Sequence, residues 1–132
     1  TAEGWQLSNA PVLSMAAHKA SLDLFEEAGM DLLHEKRKQL SAFLHFILKD
    51  INESLGEPLI RVITPEKEDE RGCQVSMLML KKGREIFREM ASHGIIADWR
   101  EPNVIRVAPV PMYNSFEDVW KFGNSISSIL RS

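Results

Sequence analysis

Between Met30 and Ser54 the apolar residues Leu33, Leu40, Leu44, Ile47, Leu48 and Ile51 recur at steps of three, four or seven positions, with Ile47 and Leu48 adjacent, and Leu55 continues the series. This spacing lines one face of an α-helix and predicts an amphipathic helix of roughly 40 Å, ended by Gly56 and Pro58. Upstream, Ser14 offers an N-cap for a helix running to Ala28, and Gly29 separates the two helices. After the long helix the period changes. Residues 59–64 form a β-branched run of strand character closed by Pro65, and a charged loop follows over residues 66–72. Residues 73–80 read as a second strand, apolar almost throughout and so expected to be covered on both faces. A third helix is predicted over residues 84–93, with Ile86, Phe87, Met90 and Ala91 inward and Gly94 as its stop. Residues 95–98 and 104–107 are short strands around a turn containing Pro102 and Asn103. Ser115, with Asp118 three residues on, caps a last helix carrying Phe116, Val119, Trp120, Ile126 and Leu130 on one side.

This order of elements predicts an α+β fold, a two-layer sandwich forming one domain over residues 1–132. With 44% hydrophobic and 27% charged residues the chain has the balance of an ordinary soluble globular protein. Its 16 basic and 19 acidic side chains are interspersed and leave a net charge of -3. That excludes the clustered basic surface a nucleic-acid partner requires. No run approaches the ~20 apolar residues of a membrane span, so no membrane partner is expected. The single Cys73 excludes an internal disulfide and fits a reducing, cytoplasmic setting. The chain begins at Thr1 in sequence of mid-protein character, so a preceding partner domain is expected.

Arg106 stands out as a permanent cation in a strand of aliphatic neighbours, Val104, Ile105 and Val107. Its planar fork of donors suits a carboxylate held at two points, as in an amino-acid substrate. From spacing alone, a structural ion pair to Asp98 or Asp118, or a strand end open to water, is the better account of it. The histidines do not assemble a metal site. His34 and His45 are about 16 Å apart along one helix, and His18 and His93 lack partners at ligand spacing. Cys73 opens an apolar strand without a supporting histidine and reads as a packing residue. The run Glu66, Glu68, Asp69 and Glu70 lacks the spacing and central glycine of a calcium loop. None of the eight lysines has the desolvated surroundings of a Schiff-base lysine, Lys19 beside His18 being the least clear.

Three segments, read together, resemble the kynureninase family: Gly4-Trp5-Gln6-Leu7-Ser8-Asn9-Ala10-Pro11, Glu70-Arg71-Gly72-Cys73-Gln74, and residues 103–116. The last is the most telling, because it joins Arg-Val-Ala-Pro to Tyr-Asn-Ser-Phe. The resemblance runs in order over essentially the whole chain. It implies the small C-terminal domain of a fold type I pyridoxal phosphate enzyme, packed on its own large domain within a homodimer. The implied reaction is hydrolysis of L-kynurenine or 3-hydroxykynurenine to L-alanine and anthranilate or 3-hydroxyanthranilate, in tryptophan catabolism. By the same resemblance Arg106 binds the substrate α-carboxylate, and Asn9 lies beside cofactor and substrate. The family's Schiff-base lysine, the aspartate facing the pyridine nitrogen and most phosphate contacts belong upstream of Thr1, so this chain alone is expected to be inactive. Another fold type I enzyme, such as an aminotransferase or a cysteine desulfurase, or a free-standing α+β ligand-binding module, is the alternative reading.

Overall fold

In the computed structural model, residues 2–5 and 7–132 are described, and they divide into two compact units whose boundary in the sequence falls between Leu33 and His34. The N-terminal unit holds a short 3-10 turn, Ala2–Trp5, the helix α1, Val12–Ala28, and the first turn of the next helix. Helix α1 begins earlier than the sequence suggested. Its N-cap is Pro11, whose carbonyl accepts from Met15 N, and Ser14 lies inside the first turn rather than capping it. Gly29 ends the helix at φ +78, a conformation a side chain would strain. No residue of α1 is buried, and Val12, Leu13, Leu22 and Leu24 are all more than half exposed.

The second unit is the α+β two-layer sandwich that the sequence predicts. Helix α2, Met30–Leu55, is followed by strands β1, Ile60–Val62, and β2, Val75–Met79. Helix α3, Gly83–Ser92, strands β3, Asp98–Arg100, and β4, Val104–Val107, and helix α4, Phe116–Arg131, complete it. The strands form one sheet in the order β1-β2-β4-β3 with every neighbouring pair antiparallel. Val75, Met77 and Met79 of β2 are buried together with Ile60 and Ile105, and all lie on one sheet face. That face meets Leu40, Leu44, Leu48 and Ile51 of α2, Ile86 and Met90 of α3, and Val119, Ile126 and Ile129 of α4 in a single core.

All three helices pack on the same sheet face, so the expectation that β2 is covered on both sides fails. Its burial alternates, with Ser76 and Leu78 only partly covered on the other face. This is the half-solvated alternation of an antiparallel sheet, and Leu78 had masked it in the sequence. Ala91 and Trp120, expected inward, are exposed, Trp120 by 56%. The buried stripe of α4 runs instead through Val119, Gly123, Ile126 and Ile129, and Gly123 brings the helix against Ile47 of α2.

Helix ends follow the local chemistry. Gly94, at φ +76, closes α3: its N–H donates to the Ala91 carbonyl and that of Ile95 to the Met90 carbonyl, a Schellman turn. The Ser115 hydroxyl accepts from Asp118 N while the Asp118 carboxylate accepts from Ser115 N, the reciprocal box that starts α4. The strand expected at 95–98 forms later, at Asp98–Arg100, whereas β4 occupies the expected residues.

Candidate functional site

Directly opposed residues of antiparallel strands share a face. The register sets Arg106 of β4 between Ser76 of β2 and Asp98 of β3, and Arg100 opposite Val104. Ile105 points into the core, so Arg106 must project from the sheet face opposite α2, α3 and α4. On that face, Arg106, Asp98 and Arg100 form a cluster.

Asp98 Oδ2 accepts from Arg106 Nε at 2.5 Å and from Arg100 Nε at 2.9 Å, and it also contacts Arg106 Nη2. The Arg106 side chain remains 29% exposed and that of Asp98 47%. Hydrogen bonding from Arg106, more than any other influence, holds the Asp98 carboxyl below the usual carboxylate range; Arg100 adds to the effect. Of the two anionic partners that the sequence left open, Asp98 is the one that meets Arg106. Asp118 is committed to the α4 cap, and its own carboxyl is held low mainly by the Ser115 backbone N–H.

The contact with Asp98 does not use up the guanidinium. A guanidinium offers two edges that can each grip a carboxylate, Nε with Nη2 and Nη1 with Nη2. Asp98 lies on the first. Among the described residues no hydrogen bond reaches Nη1, so the second edge stays open to an anion.

The chain following β4 is fixed in place by its own motif. Asn114 donates its N–H to the Val110 carbonyl at 2.8 Å, and its side-chain oxygen accepts from Val110 N at 2.8 Å. Lys36 of α2 donates to the Pro111 carbonyl at 2.8 Å. The Tyr-Asn-Ser-Phe part of the motif therefore fastens a turn and caps a helix, and in doing so it braces the end of the strand that carries Arg106.

The segment at Glu70–Gln74 is similarly tied down. Arg37 donates to the Arg71 carbonyl at 3.0 Å and pairs with Glu68 at 3.6 Å, while Arg71 donates to the Glu66 carbonyl at 2.6 Å. Burial raises the Cys73 thiol above its ordinary value, which suits a packing residue better than a nucleophile.

Asn9 is exposed and belongs to the N-terminal unit. None of the eight lysines is buried. Lys19 pairs with Asp23 at 2.7 Å, Lys36 is engaged with Pro111, and Lys38 pairs with Glu68 at 3.5 Å. These side chains do not fit covalent attachment of pyridoxal phosphate, which requires a desolvated amine. Among the described residues, no group of three or more His, Cys, Asp and Glu could hold a metal, and no helix is long and apolar enough to cross a membrane.

The sequence alone offers Asp98 only as one of two possible partners of Arg106 and does not single out Arg100. The available signal was period-two spacing: Asp98 and Arg100 alternate about Trp99 and so share a face.

Residues 33–126 match the family described as the kynureninase C-terminal domain. The chain is 49% identical to the kynureninase of Christiangramia forsetii over 93% of its length, covering 29% of that protein. It is 41% identical to the kynureninase of Mus musculus and 39% identical to that of Homo sapiens, over 99% and 98% of the chain and 29% of each relative. The chain thus spans less than a third of the length of these relatives, and over that span it belongs to the kynureninase family as its C-terminal domain.

Proposed function

We propose that this chain is the substrate-side small domain of a pyridoxal phosphate-dependent kynureninase, and that Arg106 holds the α-carboxylate of the substrate. The enzyme containing it hydrolyses L-kynurenine or 3-hydroxykynurenine to L-alanine and anthranilate or 3-hydroxyanthranilate. The observation that carries this reading is the free Nη1/Nη2 edge of Arg106, on the sheet face turned away from α2, α3 and α4 in a chain of this family.

Two parallel N–H···O bonds fix both the position and the rotation of a carboxylate, and with it the carbon to which it is attached. The cofactor, when bound in such an enzyme, supplies the electron sink. This chain's contribution is orientation of the substrate. Asn9 is proposed to contact cofactor and substrate from the N-terminal unit. The cofactor's lysine is proposed to lie in the large domain, so the isolated chain is inactive. The exposed apolar side chains of α1 suit contact with that large domain or with the second subunit of a homodimer. A cytoplasmic location accords with the single unpaired Cys73.

The test is Arg106→Ala in the full-length enzyme. A hydrogen bond to a charged group contributes about 1.5–3 kcal/mol, so kcat/KM should fall by at least about ten- to hundredfold. Arg106→Lys should recover part of the loss, because an ammonium matches the charge but not the fork. The contact with Asp98 favours a second reading in which Arg106 is only structural. That reading predicts a lower melting temperature and equal penalties for kynurenine and for an analogue without the carboxylate.

A further inference from the structure

We propose that Asp98 is a positioning residue for substrate binding, holding the Nε edge of Arg106 so that its Nη1/Nη2 edge alone faces the substrate carboxylate. This rests on Arg106 being the carboxylate anchor.

An arginine side chain left to itself can present either edge, and four rotatable bonds let it sweep a wide arc. Asp98 removes both freedoms. The β3–β4 register sets it directly across from Arg106, and one oxygen, Oδ2, takes Nε and contacts Nη2. Arg100 Nε donates to the same oxygen at 2.9 Å, so the carboxylate is itself held by a second guanidinium. A group that binds substrate gains precision when its rotamer is locked by a supporting shell.

The charge balance is consistent with this role. Two guanidinium groups share one carboxylate, so the cluster keeps a net positive charge and still attracts an anion. A carboxylate paired one-to-one with Arg106 would largely cancel that attraction. Asp98 is held as an anion by the hydrogen bond from Arg106, then by Arg100.

The experiment uses the full-length holoenzyme and two ligands: kynurenine, and a kynurenine analogue lacking the α-carboxylate, read as a competitive inhibitor. Asp98→Ala should weaken kynurenine, measured as KM, by about tenfold, while leaving the analogue's inhibition constant within about twofold. Asp98→Asn preserves shape and one acceptor, so it should fall between Asp98→Ala and the parent. It also serves as the test variant if Asp98→Ala does not fold. In an Arg106→Ala background, replacing Asp98 should have no further effect on kynurenine, because nothing remains to be positioned.

Equal weakening of both ligands in step with a lowered melting temperature would mean a purely structural ion pair and would overturn the proposal. Tighter kynurenine binding in Asp98→Asn would also overturn it, by showing that Asp98 competes with the substrate for the arginine. If Arg106→Ala itself leaves the preference for the carboxylate intact, the anchor assignment fails and this proposal with it. If Arg106→Ala abolishes that preference and Asp98→Ala does not reduce it, only the positioning role fails.

Discussion

Replacing Gly123 with alanine sets two effects of opposite sign against each other. In a helix interior alanine is favoured over glycine by about 1 kcal/mol. The added Cβ, however, would stand 2.6 Å from Ile47 Cγ2 and 3.3 Å from Ile47 Cδ1. The optimum for carbon–carbon contact is about 3.5–4.0 Å. Ile47 cannot readily turn aside, since a β-branched residue in a helix has one strongly preferred rotamer. Relief therefore requires α2 and α4 to part by roughly 1 Å, loosening the core that Leu44 and Leu48 share with Val119 and Ile126. Overpacking of this kind costs about 1–3 kcal/mol. The clash should prevail, with a net loss of about 1 kcal/mol and a melting temperature lower by about 3–5 °C. Urea and thermal unfolding of Gly123→Ala, Ile47→Ala and the double variant would measure it. With Ile47 cut back the obstacle is gone, and Gly123→Ala should then stabilise by about 1 kcal/mol. That reversal of sign is the signature of the close helix approach. A gain in stability from Gly123→Ala with Ile47 still in place would show that the two helices do not meet this closely.

Leu44, 2% exposed at the centre of α2, should lose about 2–5 kcal/mol on Leu44→Ala, with catalysis declining only as far as folding does; unchanged melting with lost turnover would place α2 outside the core. Stability should also fall on acidification, in two steps. Burial, then Arg71, holds His45 below its ordinary value. Its contribution is therefore complete above the unfolded value of about 6.5 and is lost as pH falls through the folded value. The Asp98 and Asp118 carboxyls are held low by their hydrogen bonds, so their contribution is complete above about pH 4 and is lost below it. Unfolding midpoints measured between pH 8 and pH 3 check both steps, and His45→Gln should remove the first while leaving the second.

Elements whose signals are local can be read from the chain alone. The three- and four-residue spacing from Leu33 to Leu55 defines α2, the aliphatic run around Arg106 defines β4, and Ser115 with Asp118 defines the start of α4. Gly94 is legible for the same reason, because the stop it imposes depends on its own φ. Arg106 was conspicuous because a charge among aliphatic neighbours demands a partner.

Which partner that is depends on strand pairing. Asp98 is eight residues away in the chain, and the β3–β4 register brings it across from Arg106 and sets which guanidinium edge it covers. Periodicity likewise shows that a strand or helix has two sides but not what lies against each. Leu78 and Trp120 look like core residues by hydropathy, yet α2, α3 and α4 gather on one sheet face and α4 turns its Gly123 side inward. Glycine carries no hydrophobic signal, so the contact that orients α4 could not be read from the chain. It arises because a missing Cβ lets two helix backbones approach more closely than any side chain would permit.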